Sequence, residues 1–169
     1  MESRYPSESR TILTDLVLPG ETNPLNNLFG GELLARMDRA AGIAAGRHSR
    51  RIVVTASVNH VAFSKAIPLG SVVTVEAKVS RAFKSSMEVV IDVWIEDRQT
   101  GDKTKANEAI YTFVAVNESG SPVSVPQIKP DTELEQQRYD AALRRKQLSL
   151  VLAGKMKPDD ATELKALFT

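Results

Sequence analysis

GGELLARMDRAAGIAAGR, residues 30–47, is the only long helix-periodic run in the first two-thirds of the chain. At about 100° per residue, Leu33, Leu34, Met37, Ala40, Ala41, Ala44 and Ala45 fall on one arc. Glu32, Arg36, Arg39 and Arg47 fall opposite it. A face so rich in alanine must be buried, and its short side chains let the helix approach whatever covers it. The preceding loop, residues 21–27, carries Asn23, Pro24, Asn26 and Asn27, an entry signal for a helix.

On both sides of this helix the pattern is that of strands. Residues 11–18 (TILTDLVL) come before it and end at Pro19-Gly20. Residues 52–63, 71–80, 87–96 and 105–117 follow it, with no second helix between them. Met87, Val89, Ile91, Val93 and Ile95 alternate with Glu88, Asp92 and Glu96, which predicts a strand with one wet face. The links around Pro68-Leu69-Gly70, Lys84-Ser85-Ser86 and Thr100-Gly101-Asp102 are short, as antiparallel neighbours require. One helix and five antiparallel strands give an α+β fold, a five-stranded or slightly larger sheet wrapped around a long central helix. Such a sheet leaves edges exposed, so pairing with a second copy is expected.

The flanks read differently. Residues 1–9 read as a tail, 10–118 as the folded domain, and 119–130, with Ser119-Gly120-Ser121-Pro122 and Pro126 to Pro130, as a linker. Residues 131–169 read as a C-terminal helical extension, with a helix over 132–152 and a shorter one over 159–167. Thr132 with Glu135 three residues on forms a capping box.

Composition narrows the chemistry. Lys and Arg total 22 and Asp and Glu 21 in 169 residues, so the formal net charge is +1 and no nucleic-acid partner is expected. The chain has no cysteine, which excludes disulfides, thiolate nucleophiles and cysteine-bound metals. No apolar run approaches the roughly 18–20 residues needed to span a bilayer. The start, MESRYPSESR, lacks the apolar stretch of a signal peptide. A cytoplasmic protein with no membrane contact is expected.

Residues 21–38, ETNPLNNLFGGELLARMD, resemble the entry loop and central helix of the hotdog-fold acyl-CoA hydrolases. The matching positions are Asn27, Leu28, Phe29, Gly30 and Gly31, then Asp38 in the helix. VVTASVNHVAF (53–63), Lys65-Ala66-Ile67 through Gly70, Lys84-Ser85-Ser86 and YTFVAV (111–116) match later segments of that family. The resemblance covers about residues 10–117 in order, and the remainder matches nothing. Ala66 stands where proline is common, and Phe29 where some members have histidine.

The resemblance implies a hotdog fold and hydrolysis of medium- or long-chain fatty acyl-CoA. It places Asn27 of one subunit and Asp38 of another in one site, in dimers that assemble further as trimers of dimers. Coenzyme A is then part of the substrate, and no cofactor is required. The matching strand-end segment implies that Lys84, Ser85 and Ser86, with Arg81, lie along the CoA moiety. Leu34 and Met37 are expected to line a slot for the acyl chain.

Each of these residues also has a structural reading. Asp38 lies at the border of the apolar arc and reads also as an acid paired with a nearby arginine. Asn27 suits a turn or a helix cap. Gly30 and Gly31 ease the turn into the helix, and the same absence of side chains leaves the first helical amides open to an oxyanion. Lys84, Ser85 and Ser86 read also as a solvated hairpin turn. His48 and His60 have no acidic cluster beside them, so they are expected to be structural and no metal site is expected.

No Gly-x-Ser-x-Gly elbow is present, so an acyl-serine is not expected. A carboxylate activating water fits what remains, with Asp38 as general base and Gly30 and Gly31 binding the oxyanion. Direct attack by Asp38 stays open. Two other readings of the same fold are a non-catalytic acyl-CoA sensor and a dehydratase; the latter needs a histidine at the helix entry.

Overall fold

The buried arc is where the pattern places it. In the computed structural model, which describes residues 2–169, helix α1 runs Gly30–Ser49, with Met37, Ala40, Ala41, Ala44 and Ala45 fully buried. The helix stops at Arg50, whose φ of 58° turns the chain and whose amide returns to the Gly46 carbonyl at 2.8 Å. Arg36, expected on the wet side, is buried, because its guanidinium reaches the Leu16 carbonyl and the Glu21 carboxylate.

Seven strands are present among the described residues: β1 (Ser3–Arg4), β2 (Thr11–Leu16), β3 (Ile52–Ala62), β4 (Val72–Ala82), β5 (Ser86–Glu96), β6 (Lys103–Val116) and β7 (Gln127–Ile128). The five long ones form one antiparallel sheet in the order β2-β4-β5-β6-β3. The strands flanking α1 in sequence therefore lie at opposite edges, and the helix carries the chain across the whole sheet. This is the expected α+β architecture.

Alternation puts Asn107, Ala109, Tyr111, Phe113 and Ala115 on one face of β6. The Tyr111 hydroxyl donates to the Leu34 carbonyl at 2.9 Å, and the Phe113 ring lies 3.6 Å from where a Cβ on Gly42 would stand. That face of β6 is thus pressed against α1, with Asn107 toward the helix N-terminus.

The edge strand β3 is irregular and apolar. Its register with β6 shifts between Thr55 and Ser57 and again between Asn59 and Ala62, where His60 takes a φ of 56°. Ile52, Val54 and Val58 are exposed along it.

Three further details differ from expectation. The alternation of β5 does not leave a wet face. As the central strand it is buried on both sides; Glu88 accepts from the Ser80 hydroxyl at 2.7 Å, and Asp92 pairs with Lys105 at 2.8 Å. Residues 2–9 are not a loose tail: Ser9 is buried and its hydroxyl accepts from the Val79 amide, while Arg4 donates to the His48 carbonyl. Residues 119–130 are not a free linker either. Val123 and Val125 donate to the Ala115 and Lys84 carbonyls, and β7 pairs in parallel with β1.

The chain divides into two units, one ending at Lys129 and the other spanning Pro130–Thr169. In the second, α2 (Glu133–Leu152) starts with the predicted capping box, in which Glu135 donates its amide to the Thr132 hydroxyl at 3.1 Å and returns its carboxylate to the Thr132 amide. A 3-10 turn at Pro158–Asp160 leads into α3 (Thr162–Lys165). The buried Gln147 of α2 accepts from the Leu164 amide at 2.9 Å. No helix among the described residues is long and apolar enough to cross a membrane.

Candidate active site

The loop entering α1 is organised by one side chain. Asn23 Oδ1 accepts from the amides of Leu25 at 3.0 Å and Asn27 at 3.2 Å, and the Asn23 amide donates to the Asn27 carbonyl. Asn26, at a φ of 59°, completes the turn. The loop is tied outward by Leu28 donating to the Ile67 carbonyl and Phe29 to the Glu21 carbonyl. The Leu18 amide and then the Arg36 guanidinium hold the Glu21 carboxyl below its usual range.

Behind this loop lies a cavity of about 260 Å³, lined by Asn23, Asn27, Leu28, Gly30, Leu33, Phe63, Lys65, Ala66, Ile67 and Asn107. The helical hydrogen bonds begin with Glu32 and Leu33 donating to the Phe29 carbonyl, so the Gly30 and Gly31 amides precede the ladder. The Phe63 ring stands 3.5 Å from where a Cβ on Gly30 would be, at van der Waals distance.

Asp38 lies eight residues past the lining residue Gly30, about 12 Å further along the axis of α1 at 1.5 Å per residue. It is half-buried, and the Thr55 hydroxyl of β3 donates to its Oδ1 at 2.7 Å. Tyr111 lies nearby, its hydroxyl pushed up to about 12 by burial and then by the Asp38 charge, so it stays protonated and donates to Leu34. Within one chain, Asn27 and Gly30 share the cavity, and Asp38 faces the β3 edge instead.

The expected substrate-binding residues are dispersed. Lys84 is exposed at the β4–β5 turn and Ser85 half-buried, but the Ser86 side chain is buried at the start of β5. Arg81 lies over the Phe83 ring at 5.7 Å. Met37 is wholly enclosed between helix and sheet, and Leu34 is half-buried. Leu33 is the helix side chain that lines the cavity. Ser86 pairs with Val114, which pairs with Val54, whereas Ala62 pairs with Glu108 near the cavity. The turn and the cavity therefore lie at opposite ends of the sheet.

Residues 25–101 match the family model described as thioesterase superfamily. The "uncharacterized acyl-CoA thioester hydrolase YkhA" of Bacillus subtilis is 41% identical over 144 residues, 85% of this chain and 84% of the relative. The chain belongs to the hotdog-fold acyl-CoA thioesterases.

This thioesterase superposes on a hexameric apo acyl-CoA thioesterase with a TM-score of 0.87 at 40% identity, over 90% of this chain and 98% of that one. It superposes on the acyl-CoA hydrolase of Staphylococcus aureus, in complex with butyryl-CoA, CoA and CoA disulfide, with a TM-score of 0.85 at 33% identity over 99% of each chain. Alanine variants of the S. aureus hydrolase at positions 28, 43 and 60, originally Asn, Asp and Thr, have also been solved.

Sequence reading of the thioesterase named Asp38 and the glycines but gave no role to Thr55 or Asn107. Thr55 carried a signal, a hydroxyl in an otherwise apolar stretch of β3 (VVTASV). Asn107 carried one as well, the amide in a row of small and aromatic residues.

Proposed function

We propose that this thioesterase hydrolyses fatty acyl-CoA to free fatty acid and CoA at a site shared by two copies, with Asp38 activating water. The observation that carries this reading is the Thr55–Asp38 hydrogen bond beside the exposed apolar edge β3.

An exposed edge with Ile52, Val54 and Val58 invites a second strand. Antiparallel pairing of β3 with the β3 of a second copy reverses the two sheets end for end. Lys84 and Ser85 of one copy then come toward the cavity of the other, as do Asp38 and Thr55. Lys84 is suited to the CoA phosphates there. The hexameric relative supports further assembly of such dimers as trimers.

The loop role assigned to Asn27 passes to Asn23. Positions 28, 43 and 60 of the S. aureus hydrolase are each five higher than Asn23, Asp38 and Thr55. Two backbone amides hold Asn23 Oδ1, which leaves its amino group as the donor into the cavity.

Asp38 of one copy takes a proton from water as the oxygen adds to the thioester carbonyl in the cavity of the other. The Gly30 and Gly31 amides and the Asn23 amino group bind the oxyanion; one such donor contributes about 3 kcal/mol to the transition state. Collapse breaks the C–S bond, and the CoA thiolate leaves with the proton held by Asp38. No step calls on a metal or redox group.

Two inactive variants test the shared site. Asp38→Asn and Asn23→Ala, each inactive alone, are co-expressed with different tags and the mixed dimer isolated. One composite site per mixed dimer is intact, so thiol release from acyl-CoA returns to about half of wild type. Mixed dimers as inactive as either parent would overturn the arrangement.

A further inference from the structure

The floor of the cavity holds Asn107, which is 3% exposed. Its orientation is set on one side: Oδ1 accepts from the Ser64 amide at 3.2 Å, and the Ser64 hydroxyl donates to the neighbouring Ala106 carbonyl at 2.8 Å. The other side is open. Asn107 Nδ2 is buried with no hydrogen-bond acceptor among the described residues.

Such a donor is unusual where it stands. The rest of its row, Ala109, Tyr111, Phe113 and Ala115, packs against α1, and a buried amide left unpaired is costly in such a row. Most other polar groups around the cavity are donors, the Lys65 ammonium, the Asn23 amino group and the Gly30 amide, and only the Asn27 carboxamide adds a side-chain acceptor oxygen beside its own donor. No carboxylate lines it. What Nδ2 lacks within one copy is an oxygen acceptor, and a ligand entering the cavity can supply it.

CoA carries charged phosphates that stay in solvent, so the end that enters the cavity first is the acyl end. We propose that Asn107 binds substrate, its Nδ2 donating to an oxygen carried by the first carbons of the acyl chain. The cavity thereby selects 3-oxoacyl and 3-hydroxyacyl thioesters over plain alkanoyl thioesters of the same length. This rests on the thioesterase reading above and adds the class of acyl group.

The test uses the full chain and matched four-carbon substrates: butyryl-CoA, 3-hydroxybutyryl-CoA and 3-oxobutyryl-CoA. Asn107→Asp retains the oxygen that accepts from Ser64 and replaces only the donor. The ratio of kcat/KM for each oxygenated substrate over butyryl-CoA is read in both proteins, which cancels the intrinsic reactivity of the thioesters. The ratio is expected to fall about tenfold in the variant, the effect of one buried hydrogen bond. An unchanged ratio overturns the proposal, whether rates stay level or drop together.

A second measurement is independent of turnover and of the new charge. Calorimetry compares the stable thioethers S-(3-oxobutyl)-CoA and S-butyl-CoA on wild type and Asn107→Ser. Tighter binding of the oxygenated thioether by wild type alone supports the proposal, and equal affinities overturn it. If wild type shows that preference yet releases no thiol from any thioester, hydrolysis falls and the assignment of Asn107 stands.

Discussion

Thr55 donates its hydroxyl hydrogen to Asp38 Oδ1 at 2.7 Å, joining the edge strand β3 to the central helix. The bond orients a half-buried carboxylate by engaging one of its oxygens. Thr55→Val keeps the shape and removes the donor. A hydrogen bond to a charged group is worth about 1.5–3 kcal/mol, so kcat should drop roughly 10- to 100-fold, with Thr55→Ser recovering most of it. Steady-state thiol release checks this; a kcat equal to wild type in Thr55→Val would remove Thr55 from the site.

Asn23 and Asn27 make opposite claims on the loop and can be separated. Asn23→Ala should lower kcat by about 10²–10³, the loss typical of one oxyanion donor. Asn27→Ala should cost far less, because the contacts recorded for Asn27 run through its backbone. Circular dichroism would confirm that the Asn23 loop still folds. The reverse ranking of the two variants would return the role to Asn27.

The proposed pairing through the β3 edge has its own test. Val54→Lys with Val58→Glu places charge on the exposed apolar edge, the device by which natural edges resist pairing. Light scattering should report a smaller particle, and thiol release should fall with it. An unchanged mass would mean that the copies meet elsewhere.

His48 ties stability to pH. Burial lowers its proton affinity below the ordinary value of 6.5 and the Arg4 charge adds to this, against the opposing effect of the Pro126 carbonyl at 2.7 Å and of Glu8. The folded state thus favours the neutral ring, and the unfolded chain binds the proton first. Stability from this group is complete above 6.5 and declines as pH falls through that value toward the lower folded one. Urea midpoints at about pH 7.5 and about pH 5 should differ more for wild type than for His48→Gln. Equal differences would refute the assignment.

The fold was legible because its decisive signals are local. Alanines at helical spacing and short turns between alternating runs specify a helix on an antiparallel sheet. The pairing of Ser3–Arg4 with Gln127–Ile128 was not legible, since two-residue strands far apart in sequence leave no period to detect. The burial of Glu88 and Asp92 was hidden for another reason: charge alternation looks the same whether water or buried partners satisfy it. At the site, Asp38 was marked by its place beside an apolar face. Thr55 and Asn107 acquire meaning only from what lies across the fold, Asp38 for one and an empty acceptor position for the other.

The parallel pairing of β1 with β7 also imposes an order on biosynthesis. Ser3 and Arg4 leave the ribosome well before their partners Gln127 and Ile128, which emerge only when the rest of the sheet has been made. β1 is thus made before the sheet yet pairs after it, and for that interval the segment whose Arg4 bonds the His48 carbonyl stays accessible to chaperones and proteases.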